Sequence, residues 1–236
     1  MSFRPAPSRT SVPPTLVLDL DGTLVDTASD LVATLNVILD REGLPGLEFD
    51  EARGMIGNGA RAMLQAGLAA HGKAPSPERI EALFDEFVAY YTEHIADLSA
   101  PFPGALASLD RFAAEGWRLA VCTNKLEGLA RHLLGKIGIA DRFASIAGQD
   151  TFGVRKPDPR HLTETIRSAG GDPLLAIMVG DSELDIAAAQ AAAIPAVGVS
   201  FGYSPVPIGE LGPDHVIGHF DELFDAANAL LRRGIP

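Results

Sequence analysis

One cysteine in 236 residues, Cys122, leaves no partner for an internal disulfide and fits a reducing compartment, the cytoplasm. Basic residues are scarce as well: 19 Lys and Arg stand against 31 Asp and Glu, a formal net charge of -12. Such a chain is a poor partner for nucleic acid or an anionic membrane surface. It also repels anionic substrates, so any of those must be drawn in by local cations or a bound metal. Long apolar runs are missing, and no stretch approaches the roughly 20 residues that span a bilayer. The opening MSFRPAPSRTSVPP carries arginines without an apolar centre, which argues against a secretory signal. Its prolines make residues 1–14 a disordered lead-in. Neither an internal repeat nor a low-complexity tract follows. Hydrophobic residues make up 47% of the chain, enough to bury one large domain or a medium domain carrying a small one. A monomer and a homodimer are both compatible with this composition.

Short β-rich runs recur at TLVLDL (15–20), RLAVCT (118–123), FASIAG (143–148), AIMVGD (176–181) and AVGVSF (196–201). Their near-continuous apolar character predicts strands covered on both faces, as in a parallel sheet. Helix-length segments ending in Gly separate them, so the pattern is βαβ and the expected fold is a doubly wound α/β domain. One interval, 27–100, breaks the rhythm with helical periodicity and no convincing strand. There Ser76 caps a helix with Pro77 at its first position, and Ile80, Leu83, Phe84, Phe87, Val88, Tyr91 and Ile95 form one apolar stripe. Thr27 is expected to cap an earlier helix. The division predicted is a core of 15–26 and 101–236, with a helical insertion of 27–100 that either decorates the core or covers the strand ends.

Ligands in open α/β sheets bind beyond the carboxyl ends of the strands. Those ends carry Asp19 and Asp21, then Thr123 and Asn124, then Lys156 in GVRKPDP, then Asp181, Ser182 and Asp185 in VGDSELD. Carboxylates gathered on one rim require a cation, and hard oxygen ligands that leave room for water and phosphate suit Mg²⁺. A carboxylate beside that ion can attack phosphorus, and a second two residues on can serve as acid and then base. Thr123, Asn124 and Lys156 would supply hydrogen bonds and charge to the phosphoryl oxygens. Gly22 lets the backbone turn close to the phosphate. Lys125 either adds a second cation or, in the first turn of a helix, points to solvent.

DLDGT, the Thr of CTNK, Lys156 before Pro157, and GDSELD together resemble the four motifs of the haloacid dehalogenase superfamily. The resemblance spans roughly residues 15–232. It implies Asp19 as nucleophile and Asp21 as acid/base, with Mg²⁺ held by Asp19, Asp181 and the Asp21 carbonyl. Ser182 and Asp185 would support that site or orient Lys156, and the helical insertion would be the family's cap. MIGNGARAML (55–64), CTNK and VGVSFGYSP (197–205) resemble the superfamily's bacterial phosphoglycolate phosphatases most, which implies a small phosphorylated metabolite such as 2-phosphoglycolate. In the cap, N–H groups around Gly57, Asn58 and Gly59 would welcome its carboxylate, with Arg61 one turn on adding a cation. A plain Gly-rich helix–helix turn accounts for the same residues equally well.

Other readings fit less. An EF-hand needs its Gly elsewhere and a helix, not a strand, before it. Cys122 is a small strand residue rather than a thiolate nucleophile. Trp117 packs behind a strand, and the six histidines share no metal-site spacing. A receiver domain holding phospho-aspartate lacks a large helical lid. A metal-free dehalogenase has no need of the second acid. A β-phosphoglucomutase-like phosphomutase would need sugar-binding residues in the cap, and a pyrophosphatase of the same superfamily stays open.

Overall fold

A computed structural model describes residues 12–234 of the chain. Most of the expected lead-in, 1–14, therefore lies outside the described residues. Among those described, the chain runs β1 (Thr15–Leu18), β2 (Val25–Asp26), α1 (Ala28–Arg41), α2 (Phe49–Arg53), α3 (Ala60–Ala70), α4 (Pro77–Glu93) and β3 (Ala100–Pro101). It continues through α5 (Ala105–Ala114), β4 (Arg118–Cys122), α6 (Glu127–Ile137), β5 (Ser145–Ala147) and α7 (Pro159–Ser168). Then come β6 (Ala176–Gly180), α8 (Glu183–Ala191), β7 (Ala196–Val199), β8 (His215–Ile217) and α9 (Leu223–Gly234).

Six strands form one sheet in the order β5-β4-β1-β6-β7-β8, every neighbouring pair parallel. β1 is central, with Leu18 opposite both Val121 and Val179, so its end falls at the middle of the sheet. Covered on both faces, β1 is apolar from Leu16 to Leu18, and Thr15 at its start is its one polar residue, also buried. Leu16 and Leu18 pack with Leu109 and Phe112 of α5 and Leu133 of α6. Val17 faces the other way, toward Leu162 and Ile166 of α7 and Ile186 of α8. The expected doubly wound α/β core is what the chain forms. β8 escapes a periodicity search because it is a three-residue edge strand of which only Ile217 is buried.

The helices α1 to α4 are inserted after β1. Ser76 caps α4 through its hydroxyl, which accepts from Arg79 N, and Pro77 opens the helix. Ile80, Leu83, Phe84, Phe87, Tyr91 and Ile95 are buried, each contributing roughly 1.5–3 kcal/mol, and Val88 is half-buried. Two short links carry the chain out of the core and back, paired antiparallel as β2 and β3. Asp30 fastens the returning link, accepting from Leu98 N, Ser99 N and Ser99 Oγ at 2.6–3.1 Å. Thr27 precedes α1 as expected, but its hydroxyl does not cap the helix. The Tyr203 hydroxyl does, accepting from Thr27 N at 2.7 Å and Ala28 N at 3.0 Å. Five histidines are exposed or half-buried; His161 is enclosed, and burial lowers its pKa to about 4. Trp117 is buried edge-on to Phe112.

Candidate active site

Asp19 follows β1 at the centre of the sheet, and Asp181 follows the adjacent β6. Two glycines let these loops close on one another. A Cβ on Gly22, whose φ is +82°, would stand 2.6 Å from Asp181 Oδ2, and one on Gly202 would stand 2.2 Å from Asp181 Cβ. Gly22 thus admits the Asp181 carboxylate, a different reason for glycine from the phosphate approach expected. Asp185, one turn into α8, completes a buried trio: each of Asp19, Asp181 and Asp185 offers an oxygen within 4.8 Å of the others.

Among the described residues Lys156 is the only counter-charge inside this trio, with Nζ 2.7 Å from Asp185 Oδ1 and 2.7 Å from Asp19 Oδ1. Asp185 is fully engaged, its Oδ2 accepting from Ser182 N at 3.0 Å and Ser182 Oγ at 2.5 Å. Asp181 accepts from Thr23 Oγ1 (3.0 Å) and Tyr203 N (2.7 Å). Asp19 is different: the charge its buried Oδ1 meets is the Lys156 ammonium, which it shares with Asp185. Burial, and after it the negative charge of Asp185, push the Asp19 carboxyl up to about 8. The same two causes push Asp181 up to about 6. Lys156 would lose its charge through burial, but Asp185 and Asp19 reverse that and raise its pKa. Three buried carboxylates against one ammonium fit a divalent cation with oxygen ligands.

A second group stands beside the trio. Asp21 is gripped by Thr27 Oγ1 at 2.7 Å and by Lys125 Nζ at 2.7 and 2.9 Å. Lys125 does not point to solvent: it precedes α6, is buried, and lies 4.7 Å from the centroid of the Tyr91 ring. Burial opposes its charge, yet Asp21 holds its pKa above the usual lysine value. Thr123 is buried, its Oγ1 accepting from Lys125 N. The Asn124 amide is spent on backbone, donating to Lys156 O (3.1 Å) and accepting from Lys156 N (3.0 Å). Its side chain therefore sets Lys156 in place instead of reaching a phosphate.

A small cavity of about 50 Å³ opens between this rim and the helical insertion. Its polar floor includes Asp19, Asp21, Thr123, Asn124 and Lys125, and its upper wall is apolar: Ile56, Met63, Phe84 and Phe87. Gly57 and Gly59 line it; Asn58 does not, and is exposed. A Cβ on Gly59, which precedes α3 at φ +88°, would stand 3.6 Å from Asn124 O, so the glycine loop abuts the core. Arg61 departs from expectation. Its guanidinium pairs bidentately with Glu81 at 2.7 Å and stacks 3.5 Å over Phe84 on the exposed side of α3. We expect Arg61→Ala to lower the melting temperature slightly, by about 1 kcal/mol of stability or less. Turnover of phosphomonoesters with a carboxylated and with a neutral leaving group should fall equally, if at all; a selective loss on the former would return Arg61 to the substrate site. Cys122 is buried, and burial pushes its thiol up to about 12, far from a nucleophile.

The model of the haloacid dehalogenase-like hydrolase family matches residues 16–199. The chain belongs to that family. A phosphoglycolate phosphatase of Mesorhizobium japonicum is 46% identical to this hydrolase over 93% of this chain and 97% of its own. One of Caulobacter vibrioides is 45% identical over 92% of each chain. A solved structure from Haemophilus somnus, described as a predicted phosphoglycolate phosphatase, superposes with a TM-score of 0.84 at 28% identity. It covers 92% of this chain and 99% of that one. The β-phosphoglucomutase of Clostridium difficile superposes at 0.78 with 19% identity, over 94% of this chain and 98% of its own, which shows a shared fold alone. This hydrolase is a phosphatase enzyme with a family-type helical insertion. No helix among its described residues is long and apolar enough to cross a membrane.

Proposed function

We propose that this phosphatase hydrolyses small phosphorylated acids, 2-phosphoglycolate foremost, through an aspartyl-phosphate on Asp19, in the cytoplasm. The observation that carries the chemistry is the buried Asp19 carboxylate at the end of the central strand, grouped with Asp181 and Asp185 and with Asp21 clamped two residues on. Asp19, Asp181 and the Asp21 carbonyl would hold Mg²⁺, which would supply charge neutralisation for the phosphoryl group. Asp185 and Ser182 fix Lys156, and Lys156 with Thr123 stabilises the phosphoryl oxygens.

In the first half-reaction an Asp19 oxygen bonds to phosphorus while the bond from phosphorus to the ester oxygen breaks, and Asp21 gives that oxygen its proton. In the second, Asp21 takes a proton from water, the water oxygen bonds to phosphorus, and the bond to Asp19 breaks to release phosphate. The residues 27–100 act as a cap whose apolar wall keeps bulk water from the site.

The substrate reading draws on the relatives that are described as phosphoglycolate phosphatases, together with the small, mostly apolar cavity. Phosphate release measured over a panel of 2-phosphoglycolate, sugar phosphates, an aryl phosphate and pyrophosphate tests it. The highest kcat/KM is expected on 2-phosphoglycolate. Isomerisation of a glucose phosphate without net phosphate release would replace this reading with a mutase, and pyrophosphate as best substrate would replace it with a pyrophosphatase.

A further inference from the structure

A phosphorylated acid brings a second negative charge into the cavity besides its phosphate. In a pocket walled by Ile56, Met63, Phe84 and Phe87, that charge must meet a cation or lose its hydration without return. Of the residues lining the cavity, Lys125 alone is a lysine or arginine. The neighbouring cations are engaged elsewhere: Arg61 on Glu81, Lys156 between Asp19 and Asp185, and Arg53 on Gly202 O at 2.8 Å.

Lys125 also stands where a leaving-group acid must come. Its Nζ touches both oxygens of Asp21, the group placed to protonate the ester oxygen. In 2-phosphoglycolate the carboxyl carbon is two bonds from that oxygen, so a carboxylate there is brought beside the counter-ion of Asp21. The Tyr91 ring beneath Nζ and the buried position of Lys125 exclude water and strengthen any charge contact it makes.

We propose that Lys125 is the specificity-determining cation for the leaving group, exchanging part of its ion pair with Asp21 for the carboxylate of the substrate. The inference rests on the reading that the site takes small phosphorylated acids, and it moves carboxylate recognition from α3 to the loop between β4 and α6. A neutral leaving group would leave the pair of Lys125 and Asp21 intact and gain nothing from it.

Calorimetry on the magnesium-loaded enzyme tests this with 3-phosphonopropionate, a non-hydrolysable isostere of 2-phosphoglycolate, and with its carboxamide. Wild type should bind the carboxylate about tenfold or more tighter than the amide, the scale of one charge-assisted hydrogen bond. Lys125→Met should level the two affinities, and Lys125→Arg should keep most of the preference. Asp21→Asn, which removes the competing carboxylate, should widen it. An equal affinity of wild type for both ligands, or a preference that survives in Lys125→Met, would overturn the assignment. Should Lys125→Met fail to fold, wild type and Asp21→Asn decide, since a preference that shrinks in Asp21→Asn also overturns it. Phosphate release from 2-phosphoglycolate is measured alongside. Its absence with the binding preference intact would remove the substrate reading and leave Lys125 in its role.

Discussion

Asp19→Asn should bring phosphate release down by ~10⁴-fold or more, to the background of the assay, while the metal-free protein melts at a higher temperature than wild type. The first half follows from the absence of a substitute nucleophile. Asp181 is occupied by Thr23 and Tyr203, Asp185 by Lys156 and Ser182, and Asp21 by Thr27 and Lys125. The second half follows from the carboxyl of Asp19, which burial and Asp185 push from 3.8 up to about 8. Between those two values the folded state holds a proton that the unfolded state has released, so stability falls as pH rises from about 4 to about 8. At pH 7 metal-free wild type carries most of that penalty and the Asn variant carries none. Melting curves with chelator at pH 5 and pH 7 should therefore show the variant's advantage growing with pH. An active Asp19→Asn enzyme would move the nucleophile elsewhere. A variant that is inactive and also less stable would attribute the lost activity to lost structure.

The rim was legible because its signal is local. β1 is an apolar run that ends in DLDG, and a strand at the centre of a parallel sheet has no reason to end in acids unless something beyond it uses them. The same holds for Thr123 and Asp181, each directly after a strand end that hydrophobicity alone reveals, while Lys156 lies further along the loop that follows β5. What stayed hidden depends on partners far away in sequence. Lys125 is 104 residues from Asp21, and its direction is set by that carboxylate and by Tyr91 from the insertion. Its one local clue was that α6 starts only at Glu127, which leaves Lys125 in the loop with Thr123. Arg61 carries a charge beside a glycine loop, and nothing near it in the sequence foretells that Glu81, on the next helix, takes it away.

Tyr203 shows the same limit more fully. It lies in FGYSP, without periodicity, yet its N–H holds Asp181, its hydroxyl caps α1, and Arg53 of α2 lies 5.1 Å from its ring centroid. One residue thus ties the carboxylate trio to the point where the insertion leaves the core. The fold itself needed only the alternation of apolar strands and helices. The two-residue pairing of β2 with β3 did not, because two residues carry no period.

Removing divalent metal should abolish phosphate release and also lower the melting temperature, two effects with one electrostatic origin. The trio gathers three carboxylates around a single ammonium, out of water. A cation that binds this folded cluster and not the unfolded chain stabilises by mass action, about 2.7 kcal/mol at a hundredfold excess over its Kd. For a chain of this length that is a rise of about 5–10 °C. The rise should shrink as pH falls through 6, because protons then compete for Asp181, which holds one up to about 6, and for Asp19. Asp181→Asn should lose both the magnesium-induced rise and the activity. The same rise in Asp181→Asn as in wild type would place the ion elsewhere. Activity that persists in chelator would leave the repulsion among these acids to Lys156 alone, and the charge count says that one ammonium is too few.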